Sequence, residues 1–190
     1  MFSALTAHMK KHISLSPEDE EVLAAAITVQ PVKKKEHLLR AGEVCNHNYF
    51  IIKGCFRMYL ITNKGVEQVI QFGIENWWIT EYNSFKSGLP SDFYIQATEH
   101  AEVVTISRKV QEGLYDKLPQ LERYFRLVAE KAYAAQLTRI HYIFNLTGEE
   151  QYRMMAKKYP EFVQRIPQYM LASFLGITPE FLSMLRAKKE

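Results

Sequence analysis

Six histidines and two cysteines are the residues of this 190-residue chain best suited to hold a metal or act as nucleophiles. Their spacing serves neither purpose. His8 and His12 are one helical turn apart, which suits a metal, but no third ligand is near them in sequence. A cupin-like metal enzyme needs a closely spaced histidine pair, a glutamate and a later histidine. His37, Glu43, His47 and His100 are present without any His-x-His pair. Cys45 and Cys55 do not form Cys-x-x-Cys, so reduced spectator thiols are expected, and one chain cannot supply a four-cysteine zinc or iron–sulfur site. Gly-x-Ser-x-Gly, His-Glu-x-x-His and phosphate-loop patterns are missing. The expectation is a protein that is not an enzyme, with no catalytic residue, metal or cofactor.

The C-terminal segment carries more chemistry. Pro167 can open a short helix whose inward positions are Met170, Leu171 and Phe174 or Leu175, and Ala172 is small enough for a second helix to cross closely. Gly176 suits the left-handed residue that ends such a helix. Thr178 then caps a second helix with Pro179 at its first position. Phe181, Leu182 and Leu185 form its buried side, leaving Thr178, Glu180, Ser183, Met184 and Arg186 outward, with Lys188 and Lys189 beyond. A generic αα-hairpin also has a helix–glycine–helix pattern. The small alanine, the capped second helix and the basic end favour a helix-turn-helix that lays its second helix in the major groove of double-stranded DNA.

The elements that must position this motif differ along the chain. Ser16-Pro17-Glu18-Asp19 starts a helix, with Val22, Leu23, Ala26 and Ile27 as its apolar stripe and Pro31 at its exit. Short β-rich runs follow at 35–39, 49–53, 55–61, 66–72, 77–80, 93–97 and 103–107, with glycine at most corners. They predict an antiparallel barrel or sandwich. A short helix near 108–117 precedes Pro119, which opens a long helix to about residue 146. Leu121, Phe125, Val128, Ala132, Ala135, Tyr142 and Leu146 follow heptad spacing on it, broken by Arg139. Tyr124, Leu127, Leu137, Ile140 and Phe144 make a second stripe. One stripe can pack on the barrel and the other on a second copy, giving a twofold homodimer with Leu121, Phe125, Val128, Ala132, Ala135 and Tyr142 as its expected dimer residues; a helix buried between two domains of one chain satisfies the same pattern. Thr147-Gly148-Glu149-Glu150 has the form of a capping box and marks a boundary. The domains expected are a β-barrel sensor over 1–118, a dimerisation helix over 119–146 and a helix-turn-helix domain over 147–190.

Composition agrees with a globular protein. Apolar residues make up 47 % and charged residues 24 %. Neither a membrane-length apolar run nor a signal-peptide pattern is evident, so a cytoplasmic protein with no membrane partner is expected. From residue 151 onward seven Lys or Arg face three acids, while the first 150 residues carry a net −1. A basic tail segment on a nearly neutral body suits a polyanion.

Barrel, long helix and helix-turn-helix, in that order and over nearly the whole chain, resemble the Crp/Fnr superfamily of transcription regulators. The similarity is strongest to short Bacteroidetes versions, through Pro167-Gln168-Tyr169, Ala172-Ser173 and Leu175-Gly176-Ile177-Thr178-Pro179-Glu180-Phe181-Leu182-Ser183. Leu38-Leu39-Arg40-Ala41-Gly42-Glu43 and Tyr49-Phe50-Ile51-Ile52-Lys53-Gly54-Cys55-Phe56-Arg57 resemble the first strands of a cyclic-nucleotide-binding fold. The resemblance implies an α+β chain with an N-terminal jelly roll and a C-terminal winged-helix-like helix-turn-helix domain. It also implies a homodimer on a twofold DNA site, with contacts to RNA polymerase.

Two departures qualify what is implied. Members that bind a cyclic nucleotide use a Gly-Glu turn and a downstream Arg-Ser or Arg-Thr, because the phosphate needs a paired arginine. Here those positions fall at Ile79-Thr80 and Ser91-Asp92, and an Asp would repel the anion. Control by cyclic AMP or GMP is therefore not expected. Arg57, Trp77, Trp78, Thr80, Tyr82, Ser91 and Asp92 remain candidates around a pocket for an unidentified small-molecule effector. On the second helix, relatives carry base-reading arginines where this chain has Met184 and Pro179. Base reading then falls to Thr178, Glu180 and Ser183, and phosphate anchoring to Arg165, Gln168, Arg186, Lys188 and Lys189. The rival to a DNA-binding regulator is a barrel that works by effector or protein contact and no longer reads DNA.

Overall fold

In the computed structural model, which describes residues 3–187, the chain starts with helices α1 (Ser3–Met9) and α2 (Pro17–Ala26). The start of α2 is a reciprocal cap. Asp19 N donates to Ser16 Oγ at 3.2 Å, and Ser16 N donates to Asp19 Oδ2 at 2.9 Å.

Eight strands follow: β1 (Thr28–Val32), β2 (His37–Leu39), β3 (His47–Lys53), β4 (Phe56–Ile61), β5 (Glu67–Gly73), β6 (Trp78–Ile79), β7 (Tyr94–Ala97) and β8 (Ala101–Ser107). They form two antiparallel four-stranded sheets, ordered β1-β8-β3-β6 and β2-β7-β4-β5. The expected barrel is thus a jelly-roll sandwich of two facing sheets. β1 occupies the stretch read as the exit of a helix; as an edge strand it tolerates Pro31. Between the sheets lie Val32, Leu39, Tyr49, Ile51, Phe56, Met58, Ile79, Ile95 and Val103, all buried. Strand alternation then sends Phe50, Val104 and Ile106 to the outside of the first sheet, and Tyr59, Val69 and Phe72 to the outside of the second.

Helices cover both outer faces. α4 (Arg108–Lys117) and the first turns of α5 (Gln120–Asn145) close the first sheet, with Leu114, Leu118, Leu121 and Tyr124 packed on Phe50 and Val104. Tyr124 is fully buried, and its hydroxyl accepts from Trp78 Nε1 at 2.8 Å. The second sheet is covered by the helices after α5: α6 (Gly148–Lys158), α7 (Pro160–Arg165), α8 (Gln168–Leu175) and α9 (Pro179–Ala187). Val163, Ile166, Met170 and Leu171 share one apolar cluster with Cys55, Tyr59, Val69 and Phe72. The segment after Thr147 therefore starts with its own capping box but packs on the jelly roll. Its described residues form helices joined by short turns, with no strand among them.

The stripe assigned to dimerisation needs correction. Leu121 is buried, and Phe125 and Val128 are half-buried, all against the chain's own first sheet. Ala132 and Ala135 are exposed and Tyr142 is half-buried, so these residues do not form one free face. Large apolar residues stand free farther along, at Tyr133, Leu137, Ile140, Ile143 and Phe144. Phe144 is 82 % exposed. Both stripes are apolar, and only the packing of α5 decides which one the jelly roll takes.

Candidate nucleic-acid interface

The helix-turn-helix is built by local chain chemistry. α8 ends at Gly176, whose φ of 70° places it in the left-handed region; its N–H reaches Ser173 O at 3.3 Å. Ile177 N then turns back to Ala172 O at 3.1 Å. Thr178 Oγ accepts from Phe181 N at 3.1 Å and opens α9, with Pro179 first. Leu182 and Leu185 are buried, and Leu182 shares an apolar cluster with Met170, Leu171 and Leu175 of α8. Burying each such side chain contributes about 1.5–3 kcal/mol. The turn is also held from below: a Cβ at Gly148, the first residue of α6, would collide with Ile177 Cγ2.

The other side of α9 is open. Thr178, Pro179, Glu180, Ser183, Met184 and Arg186 are exposed, with Met184 at 46 %. Glu180 and Arg186 therefore both face solvent on the same helix. Gln168 is half-buried at the start of α8. Lys188 and Lys189 lie outside the described residues.

Arg165 is not free for a phosphate. Its guanidinium holds Glu75 by Nη1–Oε2 at 2.9 Å and Nη2–Oε1 at 2.7 Å, and also pairs with Glu99. The same Glu75 accepts from Gly54 N at 2.8 Å. The hydrogen bonds from Arg165 pull the Glu75 carboxyl down to about 2, and the two acids raise the Arg165 pKa. Both acids belong to the jelly roll, so the residue read as a DNA anchor ties α7 to that jelly roll instead.

Two further ties were not legible in the sequence. Ser173, in α8, is bonded to β5, and Gln68 Nε2 donates to the Ser173 carbonyl. Arg139, the residue that interrupts the heptad of α5, inserts its guanidinium between β5 and α8. It donates to Ile70 O and, at 3.1 Å, to Phe174 O, and lies 3.6 Å over the Phe174 ring. Burial lowers its pKa to about 10.

A profile of the cyclic nucleotide-binding domain matches residues 29–117. The anaerobic regulatory protein of Haemophilus influenzae is 24 % identical over 167 residues, which cover 82 % of this chain and 64 % of that protein. The chain thus spans less than two thirds of the length of this curated relative. Among solved structures, FixK2 from Bradyrhizobium japonicum superposes with a TM-score of 0.71 at 17 % identity, covering 85 % of this chain and 83 % of that one. The c-di-GMP-responsive global regulator CLP of Xanthomonas campestris gives 0.72 at 16 % identity, covering 91 % of each chain. The chain has a Crp/Fnr-like fold, with residues 29–117 matching the cyclic nucleotide-binding domain.

Within this Crp/Fnr fold the candidate effector residues are dispersed. Arg57 is buried, but on the outer face of the second sheet: its Nε and Nη2 donate to Gln96 Oε1 at 3.0 and 2.7 Å, and Nη1 pairs with Glu67 at 2.6 Å. Trp78 packs outside the first sheet against Phe50, while Trp77 and Tyr82 are about half-exposed and Asp92 is exposed. Thr80 Oγ donates to Asn48 Oδ1 at 2.7 Å, and the buried Ser91 Oγ accepts from Phe93 N at 3.0 Å. These seven residues do not line one cavity. Arg57 and Trp78 lie on the outer faces of opposite sheets, and the other five stand outside the strands.

α3 (Tyr82–Ser87), unforeseen in the sequence, stands after β6. Its first N–H groups are taken by the protein's own carboxylate: Glu81 accepts from Asn83 N and Ser84 N, each at 2.9 Å. Ser84 Oγ in turn accepts from Cys45 N at 2.9 Å. An anion would have to displace Glu81 from this turn.

Proposed function

We propose that the protein is a dimeric, sequence-specific DNA-binding transcription regulator that does not respond to cyclic AMP or GMP. The observation that carries the reading is α9. It is capped by Thr178, anchored by Leu182 and Leu185, and free along Glu180, Ser183, Met184 and Arg186. A helix so held can enter a major groove and present short polar side chains to base edges. Glu180 can accept from cytosine N4, and Ser183 and Thr178 can reach bases or phosphate. Arg186, with Lys188 and Lys189 after it, supplies backbone charge.

The dimer in this reading forms through the free stripe of α5. Tyr133, Leu137, Ile140 and Phe144 are spaced by four, three and four residues, the spacing of a coiled-coil seam. Two copies would carry two α9 helices to a twofold operator. Contacts to RNA polymerase would follow at the promoter.

Independence from cyclic nucleotides rests on charge. Glu81 occupies the N-terminal turn of α3, Ser91 stands where an arginine is needed with Asp92 beside it, and Arg57 is bound to Glu67 and Gln96 on the other face of its sheet. Domains are proposed at 1–118, 119–146 and 147–190, in the cytoplasm, with no catalytic role.

A second reading has one observation in its favour: α8 is tied to the jelly roll through Ser173, Arg139 and the neighbouring Arg165. A protein that signals by contact alone would keep that arrangement without reading DNA. Selecting bound sequences from a random duplex pool with the full chain separates the two. Enrichment of a twofold motif whose affinity falls with salt is the expected result. No salt-sensitive binding to any duplex would replace the first reading with the second.

A further inference from the structure

A cleft of about 480 Å³ opens between the outer face of the second sheet and the start of α8. One wall is Lys34, Lys35, Arg57 and Gln96 of the jelly roll; the other is Pro167, Tyr169 and Met170. We infer that this cleft binds a small phosphate monoester, its phosphate held by Lys34, Lys35 and Arg57. Only the regulatory consequence of binding depends on the function proposed above.

Charge makes the first part of the argument. Three cations line the cleft against one carboxylate, Glu67. Among the described residues, neither Lys34 nor Lys35 has an ion-pair partner. The adjacent acid, Glu36, turns its carboxylate to Lys33 N at 2.8 Å. A dianion is the species that answers such an imbalance in a half-enclosed site.

Preorganisation makes the second part. Arg57 is 4 % exposed, and Gln96 Oε1 fixes its Nε and Nη2, so the direction of the guanidinium is set. Its remaining partner, Glu67, has a side chain 45 % exposed and can swing into water, releasing Nη1 to an incoming oxyanion. Lys35 has a φ of 69°, a left-handed conformation that is strained for a lysine. The backbone holds it there: Lys35 N donates to Ala97 O at 2.8 Å, and its carbonyl accepts from Gln96 Nε2 at 3.0 Å. Gln96 thus touches both the strained lysine and the buried arginine. The floor is small, Ala97 and Thr98, and Tyr169 offers a half-exposed ring at the rim for the organic part of the ligand.

Because the walls come from the jelly roll and from α8, a bound ester would favour their docked arrangement over any in which α8 has moved. In the regulator proposed above, this would couple ligand to operator affinity.

The test is calorimetric titration of the full chain, without DNA, using phenyl phosphate and inorganic phosphate as probes. Saturable binding of phenyl phosphate is expected, with inorganic phosphate weaker because it lacks the ring. A Lys34→Gln/Lys35→Gly double variant should bind on the order of tenfold more weakly or worse. It should melt no lower than the parent, since glycine adopts the positive φ without strain. Arg57→Gln should lose binding; folding of the double variant keeps the test decisive if Arg57→Gln does not fold. Absence of saturable binding by the parent chain at millimolar probe overturns the inference, and so does unchanged affinity in the double variant. If the lysines instead reduce only the salt dependence of duplex binding, they serve the DNA backbone and the small-ligand site is refuted. Failure of DNA binding leaves this result intact, as no duplex enters the titration.

Discussion

Val69 N donates to Ser173 Oγ at 2.9 Å, and the same hydroxyl donates to Glu67 O at 2.8 Å. β5 is the edge strand of its sheet, so these backbone groups have no strand neighbour on that side. One serine of α8 supplies what a fifth strand would have given. The edge is covered at this point, and the helix-turn-helix is seated on the jelly roll by the same contact.

Replacing Ser173 by alanine should therefore do two things. It leaves a backbone donor and acceptor without their partner at a site where water is partly excluded, costing about 1 kcal/mol. It should also loosen α8 before the jelly roll unfolds. A lower urea midpoint together with faster amide exchange at Val69 is expected; unchanged exchange at Val69 would mean that water replaces the serine.

The ion pair beside it sets a pH response. Glu75 has its pKa depressed from 4.5 to about 2, mainly by its hydrogen bonds with Arg165. A depressed acid stabilises the fold above its unfolded pKa, and that contribution fades as pH falls from 4.5 toward about 2. Solvent screening limits its size, since both side chains are about one-third exposed. Unfolding measured across this range should show a smaller acid-dependent loss in Glu75→Gln than in the parent chain. Parallel curves for the two would deny the pair any role in acid stability.

How much of this was legible in the sequence follows from the range of each interaction. Ser16, Thr147 and Thr178 cap helices through partners three residues away, and Gly176 ends α8 through its own backbone, so short patterns foretell them. Arg165 could not be read this way. Its acids lie 66 and 90 residues off, and only the folded chain brings them to it. Arg57 was misplaced because Phe56 and Met58 take the inner face of β4, which turns Arg57 outward. The α5 stripes were both visible, but periodicity does not say which one meets the jelly roll. The cleft at Lys34 and Lys35 left no sequence signal beyond a run of three lysines, Lys33 to Lys35, which reads as a solvated face.

The free stripe gives the next prediction. Ile140 is 48 % and Leu137 48 % exposed, and neither supports the jelly-roll core. Placing a charge at either should separate a dimer without unfolding its subunits. Leu137→Lys and Ile140→Lys should sediment as monomers with parent-like circular dichroism, whereas Ala132→Lys, off the seam, should remain dimeric. A parent chain that is itself monomeric at micromolar concentration would remove this seam from the proposed assembly.

The last prediction concerns Met184, which is exposed midway along α9, one residue beyond Ser183. A methionine thioether accepts hydrogen bonds weakly and donates none, so it cannot read guanine O6 and N7 as an arginine fork does. Met184→Arg should leave stability unchanged within about 0.5 kcal/mol, because its side chain is exposed while Leu182 and Leu185 are buried. On DNA it should add a preference for guanine at one position of each half-site, worth about 1–3 kcal/mol. Arg186→Gln should behave differently, weakening all duplexes alike and reducing the salt slope by about one per half-site. Competition binding with half-sites varied one base at a time distinguishes these effects. If Met184→Arg raises affinity equally for every base, the side chain meets phosphate, and α9 lies across the groove rather than along it.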